Sequence, residues 1–262
     1  MTTSFNWAVL RTPRWIAASV VALSVALLFG TLGLWQLDRL EERRSRNATV
    51  ESRSSEPTRT LEGLRGEYGD DRDTLRYRPA LATGEYRPDD EFFSIGRVYG
   101  DVVGTLVATP LDLLDGSVLI VVRGIVPATT PGPPALGYEV PEGLVAVSGR
   151  LDDGEAPSRI GESDPPAGTL TSLSRLDLAY IDTWVDGDVL PFTLLLDTQR
   201  PKGPAGEPIP IPSEELTEGS HLGYAVQWFA FSIIALIGLG ALLYRAVTTS
   251  SRDSDDAHGF AT

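Results

Sequence analysis

Two long apolar runs bracket the chain. Trp15 to Leu37 and Leu222 to Tyr244 are each 23 residues long and contain no charged side chain. As a helix, each would reach roughly 35 Å, enough to cross a hydrocarbon core about 30 Å thick with some tilt. The first run exceeds the ~7–15 apolar residues of a signal peptide. Its end, Leu34-Trp35-Gln36-Leu37-Asp38-Arg39-Leu40, offers no small-residue cleavage site, so a retained anchor is expected.

Between the runs the pattern changes period. Asp38 to Glu56 is charged and continues the first helix, with Glu42 and Arg46 four residues apart as a favourable pair. Ser52 to Asp73, with Pro57, Gly63, Gly66 and Gly69, reads as loop or short helix. Short runs rich in β-branched and aromatic residues then predict strands over Ala80–Tyr86, Phe92–Val98, Gly104–Pro110, Ser117–Val122, Leu144–Leu151 and Leu190–Asp197. Ser117 to Val122 is continuously apolar and is expected to be buried on both faces, entered through an Asp115-Gly116 turn. Ser174 to Tyr180 predicts a helix capped by Ser174, and Pro127–Pro134 and Lys202–Pro212 predict surface loops. The fold class is thus a membrane protein of α+β type, with two transmembrane helices flanking a predominantly antiparallel β extramembrane domain. No βαβ alternation suggests a nucleotide fold. The expected divisions are 1–14, the first span 15–37, the β-rich domain 38–220, the second span 221–244 and a tail 245–262.

Charge sets the topology and removes some partners. Arg245 and Arg252 follow the second span while Glu214, Glu215 and Glu218 precede it, which places both termini in the cytoplasm, consistent with Arg11 and Arg14. Arg39, Arg43, Arg44 and Arg46 after the first span run against that orientation. Residues 38–218 carry 33 Asp plus Glu against 18 Lys plus Arg, a net of −15. So acidic a domain repels phosphate backbones, which argues against nucleic acid as a partner. Membrane lipid is the expected surroundings of the two spans. With no Arg- and Ser-rich presequence before Trp15, a prokaryotic plasma membrane is the expected location.

Most catalytic chemistry lacks its residues. There is no cysteine, which removes disulfides, thiolate metal sites and a Cys nucleophile. The only histidines are His221 and His258, and neither a G-x-S-x-G elbow nor a Ser-x-x-Lys signature is present. Asp89-Asp90 reads as a chance pair in an acidic chain, and Asp182 to Asp188 lacks the ligand spacing of a calcium loop. No catalytic residue is assigned. Gly30, Gly33, Gly238 and Gly240 lie inside the spans, where small residues let helices approach closely.

The membrane boundaries hold the chemistry. Because the chain leaves through one span and returns through the other, Trp35, Gln36 and Arg39 come level with His221, Tyr224, Gln227 and Trp228. His221, Tyr224, Ala225 and Trp228 share one helical stripe, and Trp35 and Arg39 are i,i+4 neighbours. An imidazole can ligate haem iron and a guanidinium can pair with its propionates. An aromatic belt that only anchors the helices would use the same residues, and geometry leaves both readings open.

These segments resemble a known family. Gly33-Leu34-Trp35-Gln36-Leu37-Asp38-Arg39-Leu40 is similar to the motif with which the first helix of Surf1 proteins ends. Tyr77-Arg78-Pro79 with Gly84-Glu85-Tyr86, and Thr109-Pro110-Leu111 followed by Val121-Val122-Arg123-Gly124-Ile125-Val126-Pro127, resemble its strand blocks. Val147 to Leu151 resembles the next strand, and His221 to Phe229 the entry of its second helix. The chain thus resembles the Surf1 family of cytochrome c oxidase assembly factors from about Leu32 to Leu239, with Ile125 where the family carries Trp. The resemblance implies a non-enzymatic factor that assists placement of haem a into oxidase subunit I as a membrane-bound chaperone. It also implies contacts with other oxidase assembly or haem-synthesis proteins. His221 maps onto the histidine associated with haem iron. Trp35, Gln36, Arg39, Tyr224, Gln227 and Trp228 would shape the pocket or dock the subunit. The alternative is a structural scaffold for oxidase subunits that never touches haem.

Overall fold

The computed structural model describes residues 7–99, 102–154, 171–213 and 215–258. In chain order the elements are a 3-10 turn at Trp7–Arg11, α1 (Pro13–Ser54), β1 (Arg59–Thr60), α2 (Leu61–Tyr68), α3 (Arg72–Leu75), β2 (Pro79–Tyr86) and β3 (Phe92–Tyr99). They continue as β4 (Val102–Leu113), β5 (Ser117–Val126), β6 (Leu144–Asp152), β7 (Ser172–Leu173), α4 (Leu178–Ile181), β8 (Asp188–Arg200) and α5 (His221–His258). The chain divides into two units, one of residues 1–48 with 216–262 and the other of residues 49–215.

In the first unit, α1 and α5 are both long and apolar enough to cross a membrane. The charged stretch after Leu37 continues α1 without a break, as the i,i+4 pattern predicts. The apolar residues along both helices face outward: Val20, Leu27, Leu34, Val226, Ile233 and Ile237 are all exposed. Such surfaces are stable in lipid and costly in water. Ala26, Gly33 and Leu40, seven residues apart on α1, are buried, as is Ala225 on α5. The two helices meet along this face, at Ala26, where Ser232 reaches across, and at Gly33, which lies against Phe229. Ser232 Oγ donates to the Ala26 carbonyl at 2.8 Å, and Phe29 packs against Trp228 and Phe231 with ring centroids 5.5 and 5.8 Å away. Gly238 and Gly240 have open space around them, so these two glycines do not pack helix on helix as expected.

The second unit is one eight-stranded sheet that closes on itself. Its order is β1-β2-β6-β8-β5-β4-β3-β7, and β2 also pairs with β4 through Gly84–Tyr86 against Leu113–Leu111. Strands β2, β6, β8, β5 and β4 therefore form a ring. Ladders in the ring are antiparallel apart from β5–β8, which is parallel. The alternation of β2 places Ala80, Ala82 and Tyr86 inward with exposed residues between them. β5 is buried at every position. Its Leu119 and Val121 enter the ring core with Leu111, Val147, Phe192 and Leu194, which Leu61, Leu64 and Leu75 cover at one end. Its Val118, Ile120 and Val122 enter a second cluster with Phe92, Leu106, Leu173 and Ile181.

Local chemistry sets the short elements. Thr60 caps α2 through its hydroxyl, which accepts from Gly63 N at 3.2 Å, and Gly69 ends that helix at φ 66°. The Asp115-Gly116 turn forms as expected, with Gly116 at φ 89°. The helix expected over Ser174–Tyr180 instead begins at Leu178. Asp177 caps it by accepting from Ala179 N at 3.1 Å, while the preceding residues form β7 and bury Leu173 and Leu176. The proline-rich segment 202–212 is a loop, yet it is tied to the sheet where Ile209 and Ile125 exchange both backbone hydrogen bonds at 2.8 and 2.9 Å.

Candidate functional site

The site expected at the membrane boundary lies wholly in the first unit. α5 starts at His221, just after Gly219, whose φ of 68° turns the chain into the helix. The preceding residues are fastened to α1. Arg44 donates to both carboxylate oxygens of Glu218 at 2.8 and 3.0 Å, and Arg43 Nε and Asn47 Nδ2 each donate to the Thr217 carbonyl at 3.1 Å. The fork geometry of Arg44 on Glu218 fixes orientation more than it adds stability, because both groups are about half exposed. Glu214, one of the acidic residues expected before this span, lies outside the described residues.

This fastening sets which faces meet. His221 Nδ1 lies 2.9 Å from Gln36 Oε1, joining the start of α5 to α1. His221, Gln36 and Trp228 are half-buried and face the neighbouring helix, with Trp228 against Phe29. The other expected site residues are directed elsewhere. Trp35 is 49% exposed and Tyr224 50% exposed, and Arg39 and Gln227 are exposed too. Arg39 sits 5.7 Å from the Trp35 ring centroid and donates to Glu42 at 2.5 Å, so it belongs to the outer surface of α1. The expected set thus divides into an inner group of Gln36, His221 and Trp228 and an outer group of Trp35, Arg39, Tyr224 and Gln227. The physical reason is helical phase: Gln36 lies three residues beyond buried Gly33 and shares its face, whereas Trp35 is rotated out of it. Phe29 and Ser232, which complete the inner group, were not singled out from the sequence.

The second unit holds a buried polar cluster. At Arg123, β5 carries an extra residue: Val122 pairs with Ala108 and Gly124 with Val107, leaving Arg123 without an opposite number. Such a bulge re-aims a side chain, and here the guanidinium is carried into the interior. Arg123 Nη1 donates to Glu91 Oε2 at 2.8 Å, and both side chains are 1% exposed. Glu91 also accepts from Thr109 Oγ1 at 2.7 Å and from Ala135 N at 2.7 Å, while Arg123 Nη2 donates to the Tyr138 carbonyl. Tyr86 lies beside the guanidinium and donates from its hydroxyl to Gln199 Oε1 at 2.9 Å; burial raises its phenol above the usual range. Beyond Val122, β8 leaves β5, and Ile209 takes its place against Ile125. A cavity of about 340 Å³ lies beside Arg123, Leu196, Gln199 and Ile209. Ile125, which stands where the resembling family has Trp, is buried in the second core cluster and fills a packing position.

Comparison with known proteins agrees with this architecture. Residues 23–233 match the profile of the SURF1 family. An uncharacterized SURF1-like protein of Mycobacterium bovis is 25% identical over 248 residues, covering 92% of this chain and 88% of the relative. A SURF1-like protein of Monosiga brevicollis is 26% identical over 227 residues, covering 82% of this chain and 83% of the relative. One from Rickettsia felis is 27% identical over 107 residues, 40% of this chain.

Proposed function

For a chain that belongs to the SURF1 family, we propose a role as a cytochrome c oxidase assembly factor that handles haem a as cargo on its way to subunit I. The observation that carries this reading is the pairing of His221 with Gln36 at 2.9 Å where α5 begins. A neutral imidazole is one of the side-chain donors that hold haem iron in proteins. Pairing with one ring nitrogen leaves the other able to bond. Among the described residues no group of three or more His, Asp or Glu side chains could hold a metal ion, so a single nitrogen donor is the chemistry at hand. Two helical turns further along the same helix faces, Phe29 and Trp228 pack together with ring centroids 5.5 Å apart and give the helix pair an apolar aromatic surface of the kind a porphyrin face prefers.

The outer group would then serve docking. Trp35, Arg39, Tyr224 and Gln227 present exposed aromatic and polar surface on the same two helices, which suits contact with a membrane-embedded oxidase subunit. The protein acts as carrier and not as catalyst. It is expected in a prokaryotic plasma membrane with both termini in the cytoplasm, among other assembly and haem-synthesis proteins. The scaffold reading, in which oxidase subunits are held and haem is never touched, draws on the same outer surface.

The test is to purify the full chain in detergent from cells making haem a and record its visible spectrum. Wild type is expected to carry haem and His221→Ala to lose most of it. An unchanged haem content in the variant removes His221 as ligand. If neither protein carries haem while deletion still lowers oxidase content, the scaffold reading holds instead.

A further inference from the structure

We infer that Gln36 is a positioning residue that holds His221 in the Nδ1–H form and leaves Nε2 as the bonding nitrogen, an inference that rests on the haem-handling reading. An amide oxygen can only accept. With Gln36 Oε1 2.9 Å from His221 Nδ1, the proton between them belongs to the ring. A neutral imidazole protonated at Nδ1 carries its lone pair on Nε2. Partners of this kind, one shell removed from the bond, orient a histidine and strengthen it as a ligand.

The surroundings of Nε2 point the same way. A β-carbon at Gly219 would lie 3.4 Å from His221 Cδ2 and 3.7 Å from Nε2, so that edge of the ring faces the turn before α5. Glycine at this position satisfies the positive φ of 68° that turns the chain into α5. The turn itself is held by Arg43, Arg44 and Asn47, which lie about two and three helical turns beyond Gln36 on α1. Two separate attachments to one helix thus fix residues 217–221, and with them the direction in which Nε2 points. Gln36 is half-buried on the helix face that carries Gly33 and Leu40, which directs its amide toward α5.

The chain has two histidines, which makes the test direct. Full-length protein carrying His258→Ala and ¹⁵N-labelled histidine holds a single labelled ring. In detergent, above the ordinary imidazole pKa, ¹H–¹⁵N correlation spectra distinguish the protonated nitrogen from the bare one. The expected result is a proton on Nδ1 and a bare Nε2, changing to mixed or Nε2-protonated rings in Gln36→Leu. A proton on Nε2 in the parent, or an unchanged spectrum in Gln36→Leu, overturns the inference. Titration with haemin supplies the second arm. Gln36→Leu is expected to weaken binding about 10-fold or more, as loss of such partners does elsewhere. If the tautomer is as stated but the parent binds no haemin, the haem reading fails and the positioning of His221 stands. If the parent binds haemin and Gln36→Leu changes neither tautomer nor affinity, the positioning role fails and the haem reading stands.

Discussion

Gly33 on α1 lies against the ring of Phe229 on α5, so closely that a β-carbon at Gly33 would sit 2.6 Å from Phe229 Cε1. Glycine costs about 1 kcal/mol relative to alanine inside a helix, and here that cost is offset by helix contact. Gly33→Val is therefore expected to separate the two helices. The cysteine-free chain offers a clean measurement: cysteines placed at Ala26 and Ser232, which touch across the interface, should crosslink on oxidation. Adding Gly33→Val should lower the yield several-fold, and Phe229→Ala in the same chain should restore much of it. A yield indifferent to Gly33→Val would contradict the contact.

What the sequence reveals of this interface depends on phase. Hydrophobic runs locate both spans, and the i,i+4 spacing of Trp35 and Arg39 identifies them as neighbours, which they are. Periodicity assigns residues to faces of their own helix, however, and an all-apolar helix does not reveal which face meets its partner. The recurrence of Ala26, Gly33 and Leu40 carries that information, and it groups Gln36 with His221 instead of Trp35. In the β domain the continuous run Ser117–Val122 identifies the central strand. Its extension to Val126 was hidden because Arg123-Gly124 breaks an apolar pattern, and only the bulge lets the ladder continue through them. The closure of the ring through three residues of β2, and the two-residue strands β1 and β7, leave no periodic trace to follow.

The Glu91–Arg123 pair should dominate the stability of the β domain locally. Both groups are removed from water, and every carboxylate oxygen is occupied. Arg123→Ala would leave a buried charge without its partner, which typically costs about 3–5 kcal/mol. Chemical denaturation of the detergent-solubilised chain should show that loss for Arg123→Ala, with Glu91→Ala comparable. The double variant should lose clearly less than the sum, because neither charge is then left stranded. Additive losses would mean that the pair is not coupled.

Acidity offers a separate probe. Burial pushes the Asp152 carboxyl up to about 6, against the opposing attraction of Arg76, and the neighbouring Asp153 adds to the rise. The native state therefore holds this proton more tightly than the unfolded chain. Asp152 contributes stability that is full below about pH 4 and lost as pH rises through 6. The change is on the order of 3 kcal/mol at most, from about 1.4 kcal/mol per pKa unit. Melting temperatures of wild type between pH 5 and 7 should therefore fall more steeply than those of Asp152→Asn. Parallel curves would show that another group governs the slope.

The division of the boundary residues into inner and outer groups can be separated by experiment. Trp35 and Tyr224 are each about half exposed, so truncating them removes little packing and should leave melting within a degree or two. If their surface docks a partner, Trp35→Ala and Tyr224→Ala should each lower the oxidase subunit I recovered with a tagged chain by several-fold, since exposed aromatics are the usual anchors of an interface. Haem content should change little, because the hydrogen bond that orients His221 is made by Gln36 and not by either ring. Gln36→Leu should do the reverse, lowering haem content while subunit I recovery holds. If the outer substitutions lower haem content as much as subunit I recovery, the two groups act as one site and the division made by the helical phase has no functional counterpart.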